Sequence, residues 1–283
     1  MIEPVTLQRN PVRGPTRWPW ILKTSIVHAT ALAAPWYFSA SGVLVCFLLM
    51  PFCSIWITMC WHRLLSHASF STYPWLRYTM TTLGCLNLEG GPVEWVGSHR
   101  RHHSDSDGPE DPHSPRKGLR WAHLGWLSTR LPFDPADYAR DLVRDPVIRC
   151  IDRLAWVPAA VLMLTLYGVG ELWLGRGVSW VLWGGCVRTV LVWHATWIVN
   201  SWTHKWGYRN FDTPDDSRNS ALVAFFTFGE GWHNNHHAQQ RSAAHGMLPG
   251  EFDATYAVIR LLERLGLVWD VVRPDPSKAK AHR

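Results

Sequence analysis

The sequence predicts an all-α integral membrane protein, with four transmembrane helices in two hairpins under a cytoplasmic helical cap. Three observations lead to this fold class: four long apolar stretches, a high tryptophan content, and basic residues confined to particular segments. Tryptophan occurs 19 times in 283 residues, and its side chain collects at membrane–water boundaries. The net charge of +6 would also suit nucleic acid, but the tryptophan content favours a membrane, and no nucleic-acid partner is expected.

The first predicted hairpin joins apolar stretches at about 18–38 and 41–61. Each has about the 20 residues that cross the hydrocarbon core of a bilayer. A signal peptide is the alternative for the first stretch, because "ALAAP" (31–35) resembles a cleavage site. Lys23 and His28 inside the stretch, and its length, favour an uncleaved helix. Residues 1–17, with three Arg and three Pro, are expected to form a flexible lead.

The second predicted hairpin joins stretches at about 154–174 and 178–199 through "GRG". The last stretch contains Arg188, which is costly in lipid and is therefore predicted to face the interior of the helix bundle.

Orientation follows from the basic residues. The two short connections carry one of them, Arg176, whereas the lead, the 62–150 loop and the 200–283 tail carry nearly all the others. The positive-inside rule makes those three segments cytoplasmic. The chain then forms a single domain, 1–283, whose cap consists of 62–150 and 200–283. Within the cap, 73–91 is too short and too polar-flanked to cross, so it lies at the interface or re-enters shallowly.

The six cysteines include no CxxC pair. Cys46, Cys53 and Cys60 recur every seven residues and would share one helix face. This pattern predicts small buried apolar residues and gives no support to a zinc ribbon, an iron–sulfur cluster or a disulfide framework.

Nine of the 15 histidines fall in four dense segments, all on the side predicted to be cytoplasmic. The segments are "HRLLSH" (62–67), "HRRHH" (99–103), "NSWTH" (200–204) and "HNNHH" (233–237). They supply His62, His67, His99, His102, His103, His204, His233, His236 and His237. The other six are expected to be surface or packing residues: His28, His113, His123, His194, His245 and His282. His28 and His194, inside apolar helices, are expected to pack or hydrogen-bond.

Helix geometry gives the spacing a meaning. In an HxxHH box the last two imidazoles flank the first, so one box can serve two neighbouring ions. Asn200 and His204, at i, i+4, share a face. His62 and His67, at i, i+5, are about 140° apart on an ideal helix and need a helix end or a wide centre. Neutral imidazole binds Fe, Zn, Cu or Ni, and nine ligands exceed the need of one ion, so two ions are predicted.

In order and spacing, "HRLLSH", "GPVEWVGSHRRHH", "DPHSP", "NSWTH" and "GEGWHNNHH" resemble the membrane fatty acid desaturases. The resemblance covers about residues 20–272 and is closest to the stearoyl-CoA-desaturase-like and bacterial acyl-lipid branch, which introduces the first double bond. It implies a non-haem di-iron centre that uses O₂ and two electrons to remove two vicinal hydrogens from a fatty acyl chain. The acyl donor can be CoA, a carrier protein or an intact lipid.

The same resemblance assigns roles to residues. The nine histidines match the iron ligands, and Asn200 matches a residue that reaches the metal through water. Trp95 and Trp197 match positions lining a bent substrate tunnel, with interfacial packing as the alternative. Glu230 either orients an imidazole N–H or caps a helix. No haem or flavin motif occurs in the sequence, so electrons are expected from a separate protein such as a ferredoxin or cytochrome b5.

Two other functions compete with desaturation. A membrane di-iron fatty acid or alkane hydroxylase uses similar chemistry but has differently spaced boxes. A metal carrier should place ionisable groups along a transmembrane path, whereas these histidines cluster at one end of the predicted bundle.

Overall fold

The computed structural model describes residues 15–279, which are largely helical, as predicted. The predicted lead up to residue 14, and His282, lie outside the described residues. The α-helices, in chain order, are α1 Trp18–Leu32, α2 Ala40–Ile55, α3 Pro74–Gly84, α4 Pro92–Ser104, α5 Leu119–His123, α6 Pro135–Tyr138, α7 Arg140–Arg144, α8 Pro146–Arg153, α9 Val157–Leu174, α10 Gly177–Trp180, α11 Arg188–Trp202, α12 Ala221–Phe226, α13 His233–Ala238 and α14 Ala254–Arg264. Two π-helical segments, Trp56–Ser66 and Val181–Val187, prolong α2 and join α10 to α11.

Short segments complete the fold. Single 3₁₀ turns occur at Ala34–Tyr37, Cys85–Asn87, Pro115–Lys117, Gly125–Ser128 and Pro276–Lys278. The strands β1 Ser71–Thr72 and β2 Val268–Trp269 pair antiparallel, which ties the chain after the first hairpin to the chain after α14.

Two helices in the described part of the chain, Ala40–Ser66 and Val157–Leu174, are long and apolar enough to span a membrane. They correspond to the second and third of the four predicted stretches. Helix α1 has 15 residues, fewer than the roughly 20 that a span needs. The helical run from α10 through α11 is longer, but it contains Arg188 and His194, which lower its apolar character.

The outer surface of the hairpin helices is apolar. Leu172 is 88% exposed and Trp173 78% exposed. The same surface includes Leu44, Phe47, Leu48 and Leu164. Exposed large apolar side chains in this number are unfavourable in water and are typical of a surface covered by lipid or protein. The structure therefore agrees with membrane association.

The hairpins are joined by polar contacts between small side chains. Ser39 caps α2 by accepting a hydrogen bond from the Gly42 N–H, and its hydroxyl lies 2.7 Å from that of Ser179. The indole of Trp180 donates to Ser41 across 2.9 Å. These contacts hold the two connecting ends together.

Arg188 faces the interior, as predicted. Its side chain is fully buried and donates to Oδ1 of Asn87 and to the carbonyl of Leu86, both across 3.1 Å. Asn87 in turn donates to the carbonyl of Cys53. The end of the 73–91 segment is therefore packed between the hairpins.

The end of the first hairpin and the segments 62–150 and 200–283 share one core, formed by residues such as Met59, Trp61, Met80, Leu142 and Ile259, all fully buried. Cys46, Cys53 and Cys60 are buried free thiols, which confirms the interpretation of their spacing. The end of the π-helix after α2 lies in this core, so the fold delivers His62 at the boundary between hairpins and cap.

Candidate metal centre

The nine histidines come together in two neighbouring groups. In each group, one ring nitrogen per residue lies within 4.8 Å of all the others. The five-histidine group is His62, His67, His99, His103 and His236. The four-histidine group is His102, His204, His233 and His237. No other histidine of the described chain belongs to either group.

The π-helix explains how His62 and His67 reach the same group. In a π-helix the hydrogen bonds run from i to i+5, so five residues make about one turn instead of the 140° offset of an α-helix. Trp56–Ser66 is π-helical, and His67 follows it directly. His67 is the residue at which this helix ends, so the helix end predicted from the spacing is observed. The change of helix type has no signature in the residue spacing.

Each HxxHH box serves both groups, as its geometry predicts. On α4, His99 and His103 belong to the five-histidine group and His102 to the other. On α13 the division is reversed. His236 belongs to the five-histidine group, and His233 and His237 belong to the four-histidine group.

The distances between ring nitrogens fit bound ions. Within the groups, neighbouring Nε2 atoms are 2.8–3.3 Å apart. Two nitrogens about 2.1 Å from one ion and at right angles are about 3.0 Å apart. His102 and His237 each direct Nδ1 at an aspartate. When both rings are neutral and carry the hydrogen on Nδ1, two Nε2 lone pairs face each other at 3.3 Å. A shared cation removes that repulsion.

Burial keeps most of these imidazoles in the state that binds metals. Desolvation lowers the pKa of His67, His99, His103, His233 and His236 well below the ordinary histidine value. Neutral imidazole has a free lone pair for an ion. The donor set therefore suits a transition metal.

Three aspartates hold the four-histidine group from outside. Nδ1 of His102 lies 2.9 Å from Asp111, Nδ1 of His204 lies 3.0 Å from Asp107, and Nδ1 of His237 lies 2.9 Å from Asp215. Hydrogen bonds of this kind fix the tautomer and the ring orientation of a ligand. We call Asp107, Asp111 and Asp215 the aspartate collar.

The aspartate collar was not predicted from the sequence. Asp107 and Asp111 stand just after "HRRHH" in "DSDGPED", a stretch that reads as turn-forming chain, and Asp215 lies in "DTPDDS". Their proximity to a histidine box was the available signal. Asp107 also has a left-handed backbone, with φ of +62°, which is uncommon for a residue other than glycine.

Glu230 acts on the five-histidine group. One of its oxygens accepts a very short hydrogen bond from Nδ1 of His62, and the other accepts from Arg63 across 2.8 Å. No side chain caps the start of α13, so the capping alternative is not observed. His245, which the sequence analysis set aside, is buried against this cluster, with its ring 4.4 Å from that of His236.

The two asparagines inside "HNNHH" anchor α13. Oδ1 of Asn234 accepts from the backbone N–H groups of Asn210 and Phe211. Asn235 accepts from the side chains of Asn210 and Asn219 and donates to the carboxylate of Glu251 across 2.7 Å. Both asparagines are fully buried. The residues between the ligands therefore fix the helix that carries the ligands.

A cavity of about 620 Å³, its open mouth included, adjoins both groups. Its apolar wall comes from the π-helix after α2, with Ile57, and from α11, with Val192 and Val199. Trp95 and Asn200 also line it. A second cavity shares Trp95 and Asn200 with the first and reaches Trp197. Trp197 also lines a third cavity against α1. The predicted tunnel residues thus lie along one series of adjoining cavities.

The buried carboxyl group of Glu89 lies at this junction. It accepts hydrogen bonds from the Trp95 indole across 2.9 Å and from the Thr196 hydroxyl across 2.8 Å. Burial raises its pKa to about 7. The sequence analysis did not single it out.

His28, His123 and His194 form a separate chain of contacts. His194 lies 3.2 Å from His28 through Nε2 and 2.9 Å from His123 through Nδ1. The interpretation of His28 and His194 as hydrogen-bonding residues is confirmed. His113 packs on His102 with ring centroids 4.3 Å apart, outside both groups.

Comparison with known proteins gives the family. The sequence matches the fatty acid desaturase family over residues 36–249. It is 42% identical to the sn-2 palmitoyl-lipid 9-desaturase of Nostoc sp., over 93% of each chain. It is 45% identical to the sn-1 stearoyl-lipid 9-desaturase of Anabaena variabilis, over 78% of this chain and 80% of the relative. A Synechocystis sn-1 stearoyl-lipid 9-desaturase is 42% identical, over 94% of this chain and 83% of the relative.

This similarity covers all four histidine segments, and the same segments build the two groups of ring nitrogens beside an apolar cavity. The chain therefore belongs to the fatty acid desaturase family.

Proposed function

We propose that the enzyme inserts the first double bond, at the Δ9 position, into a saturated acyl chain of a membrane lipid. The names of the relatives support the position and the lipid-bound substrate. One observation carries the proposal: two groups of imidazole nitrogens at metal-ligand spacing adjoin a cavity with an apolar wall.

Two iron ions are the proposed cofactor, held by the five- and four-histidine groups, with Asn200 in contact through water. Unactivated methylene hydrogens require an oxidant, and bound iron with O₂ supplies it. The balanced reaction consumes one saturated chain, O₂, two electrons and two protons, and it yields the cis-alkene and two waters.

The residues of this chain position the substrate and exclude water. Trp95 stacks beside His99, with ring centroids 5.2 Å apart, so a chain lying in the cavity passes the five-histidine group. Trp95 and Trp197 are proposed to line the bent path of the acyl chain. Glu89 holds Trp95 and Thr196 in place through its two hydrogen bonds. The apolar wall favours methylene groups over water.

The membrane arrangement is part of the proposal. Four transmembrane segments in two hairpins carry the cap on the cytoplasmic side, and residues 1–283 act as a single domain. The apolar outer surface of the hairpins and the distribution of basic residues support it. A separate electron-donor protein, a ferredoxin or cytochrome b5, is proposed to dock on the basic cytoplasmic face.

Lipid analysis of cells that express the protein tests the function. Methyl esters of the fatty acids are separated, double bonds are located by mass spectrometry, and regiospecific lipases assign products to sn-1 or sn-2. We expect Δ9 monounsaturated chains on intact lipid and none with the matched variant His67→Ala. Hydroxylated chains would instead indicate a hydroxylase, and unchanged lipids despite a correctly inserted protein would refute both.

A further inference from the structure

The two groups of histidines differ in the hydrogen-bond partners of their Nδ1 atoms. Three of the four imidazoles in the four-histidine group direct Nδ1 at an aspartate of the collar, across 2.9–3.0 Å. In the five-histidine group, His62 alone has a carboxylate partner among the contacts of the described chain, namely Glu230. Nδ1 of His103 and Nδ1 of His236 are buried without a hydrogen-bond partner.

The charges differ as well. The three carboxylates of the collar are 0–6% exposed and carry three negative charges. Glu230 shares the buried guanidinium of Arg63 with Asp253, across 2.8 and 2.9 Å. This cluster of two carboxylates and one guanidinium therefore has a net charge of one negative. Buried charges are weakly screened, so a dication in the four-histidine group is stabilised more strongly by its surroundings.

We propose that the four-histidine group binds its ion more tightly than the five-histidine group binds the other ion, and that the aspartate collar is the cause. The inference rests on the proposed function, since it assumes that both groups bind iron. The five-histidine group has one more imidazole, and this additional ligand favours tighter binding of its own ion. However, each outer partner of a metal ligand typically changes affinity about 10–100-fold, and the four-histidine group has three such partners against one.

Stepwise chelation of the purified iron-loaded protein in lipid nanodiscs tests the inference. Iron released to a chromogenic chelator is followed over time in the wild type and in four variants. Asp111→Asn and Asp215→Asn keep an oxygen that can accept the Nδ1 hydrogen but lose the charge. Glu230→Gln is the matched change at the five-histidine group. His67→Ala removes a ligand of that group and identifies which ion leaves first.

We expect two phases of release in the wild type, one ion each, and only the slow phase in His67→Ala. Each collar variant should accelerate the slow phase about 10–100-fold and leave the fast phase unchanged, whereas Glu230→Gln should accelerate the fast phase alone. A general loosening of the fold would move both phases together and would overturn the assignment. So would two ions released at one rate, or a slow phase insensitive to the collar.

A wild-type protein that binds no metal at all would overturn the proposed centre, and the inference with it. Two ions with equal release rates would overturn the inference while leaving the proposed function intact.

Discussion

At the residue scale, the type and spacing of the histidines were sufficient to predict the two groups, but not what supports them. All nine predicted histidines lie in the groups. For the six in the two HxxHH boxes, the helical spacing leaves few other arrangements. The collar, Glu89 and the asparagines of α13 were missed, since Asp and Asn in loops usually have other uses. Asp111 is near its partner His102 in sequence, but others are distant, such as Asp107 from His204. A single sequence contains no record of such distant contacts.

His204 belongs to none of the HxxHH or HxxxxH boxes, so its role is a sharp test. Its Nε2 lies 2.9 Å from that of His233. We expect His204→Ala to lose about one iron per protein and at least about 100-fold of its activity, the upper end of the effect of outer partners. Asn200→Ala should reduce activity but retain most iron. His194→Ala, a control in α11 like Asn200, should retain both iron and activity. Loss of both iron and activity in this variant would contradict the assignment.

Glu89 should make stability depend on pH. Its pKa in the folded protein is about 7, above the ordinary value of about 4.3 in an unfolded chain. Through Glu89 the folded state therefore binds more protons between about pH 4 and 7, so the contribution of Glu89 to stability falls as pH rises through that window. The buried histidines with lowered pKa have the opposite slope, so the effect of Glu89 is measured as a difference from a variant. That difference should reach about 4 kcal/mol near pH 8.

Thermal denaturation at several pH values measures this effect. As pH rises from about 4 to 7, stability should increase more in Glu89→Gln than in the wild type, whereas Glu110→Gln, a change at an exposed carboxylate, should follow the wild type. Equal slopes in wild type and Glu89→Gln would show that Glu89 is not the group responsible.

At the element scale, apolar runs located the helices well, but they could not indicate changes of helix type. The second predicted stretch ended at residue 61, whereas the helix continues as a π-helix to Ser66. The pitch of a helix depends on packing as well as on composition, and hydropathy alone does not report it. The first predicted stretch was too long, because Ala34–Tyr37 is a separate turn after α1.

Helix α13 depends on its two asparagines, because six residues make too short a helix to be stable alone. Asn235→Ala leaves buried partners without hydrogen bonds, at a cost of about 1–3 kcal/mol for each such group. We expect a lower melting temperature and less bound iron than in wild type. Gln240→Ala, at an exposed position just after the helix, should change neither. Normal iron content in Asn235→Ala would show that α13 is held by other contacts.

At the scale of the whole molecule, the hairpins meet the segments 62–150 and 200–283 where the nine histidines converge. Arg188 shows how the sequence can predict such an arrangement: a charge within an apolar helix must face inward, and it does. Its partners Leu86 and Asn87 could not be predicted, because uncharged hydrogen-bond acceptors have no distinctive pattern.

The four-helix topology predicts a defined pattern of reporter fusions. Fusions after residues 38 and 175 should be external, and those after residues 120 and 283 should be internal. The expectation follows from the basic residues of the cap segments. One inverted reporter would rule out the arrangement of two hairpins.

Docking of the electron donor should depend on salt. Exposed charges are screened within about 8–10 Å near physiological ionic strength, so the apparent KM for a reduced ferredoxin should rise with added salt. Turnover with a small chemical reductant serves as the control and should change little. A KM independent of salt would argue against docking by charge.

The division of each histidine box between the two groups has a consequence for biogenesis. Both groups need side chains from α4 and from α13, so neither ion has a complete site until the ribosome has synthesised residue 237. Under the proposed function, iron would then be acquired only after both proposed hairpins have been synthesised. A polypeptide truncated before α13 should reach the membrane yet remain free of iron, so that metal content reports whether α13 has been made.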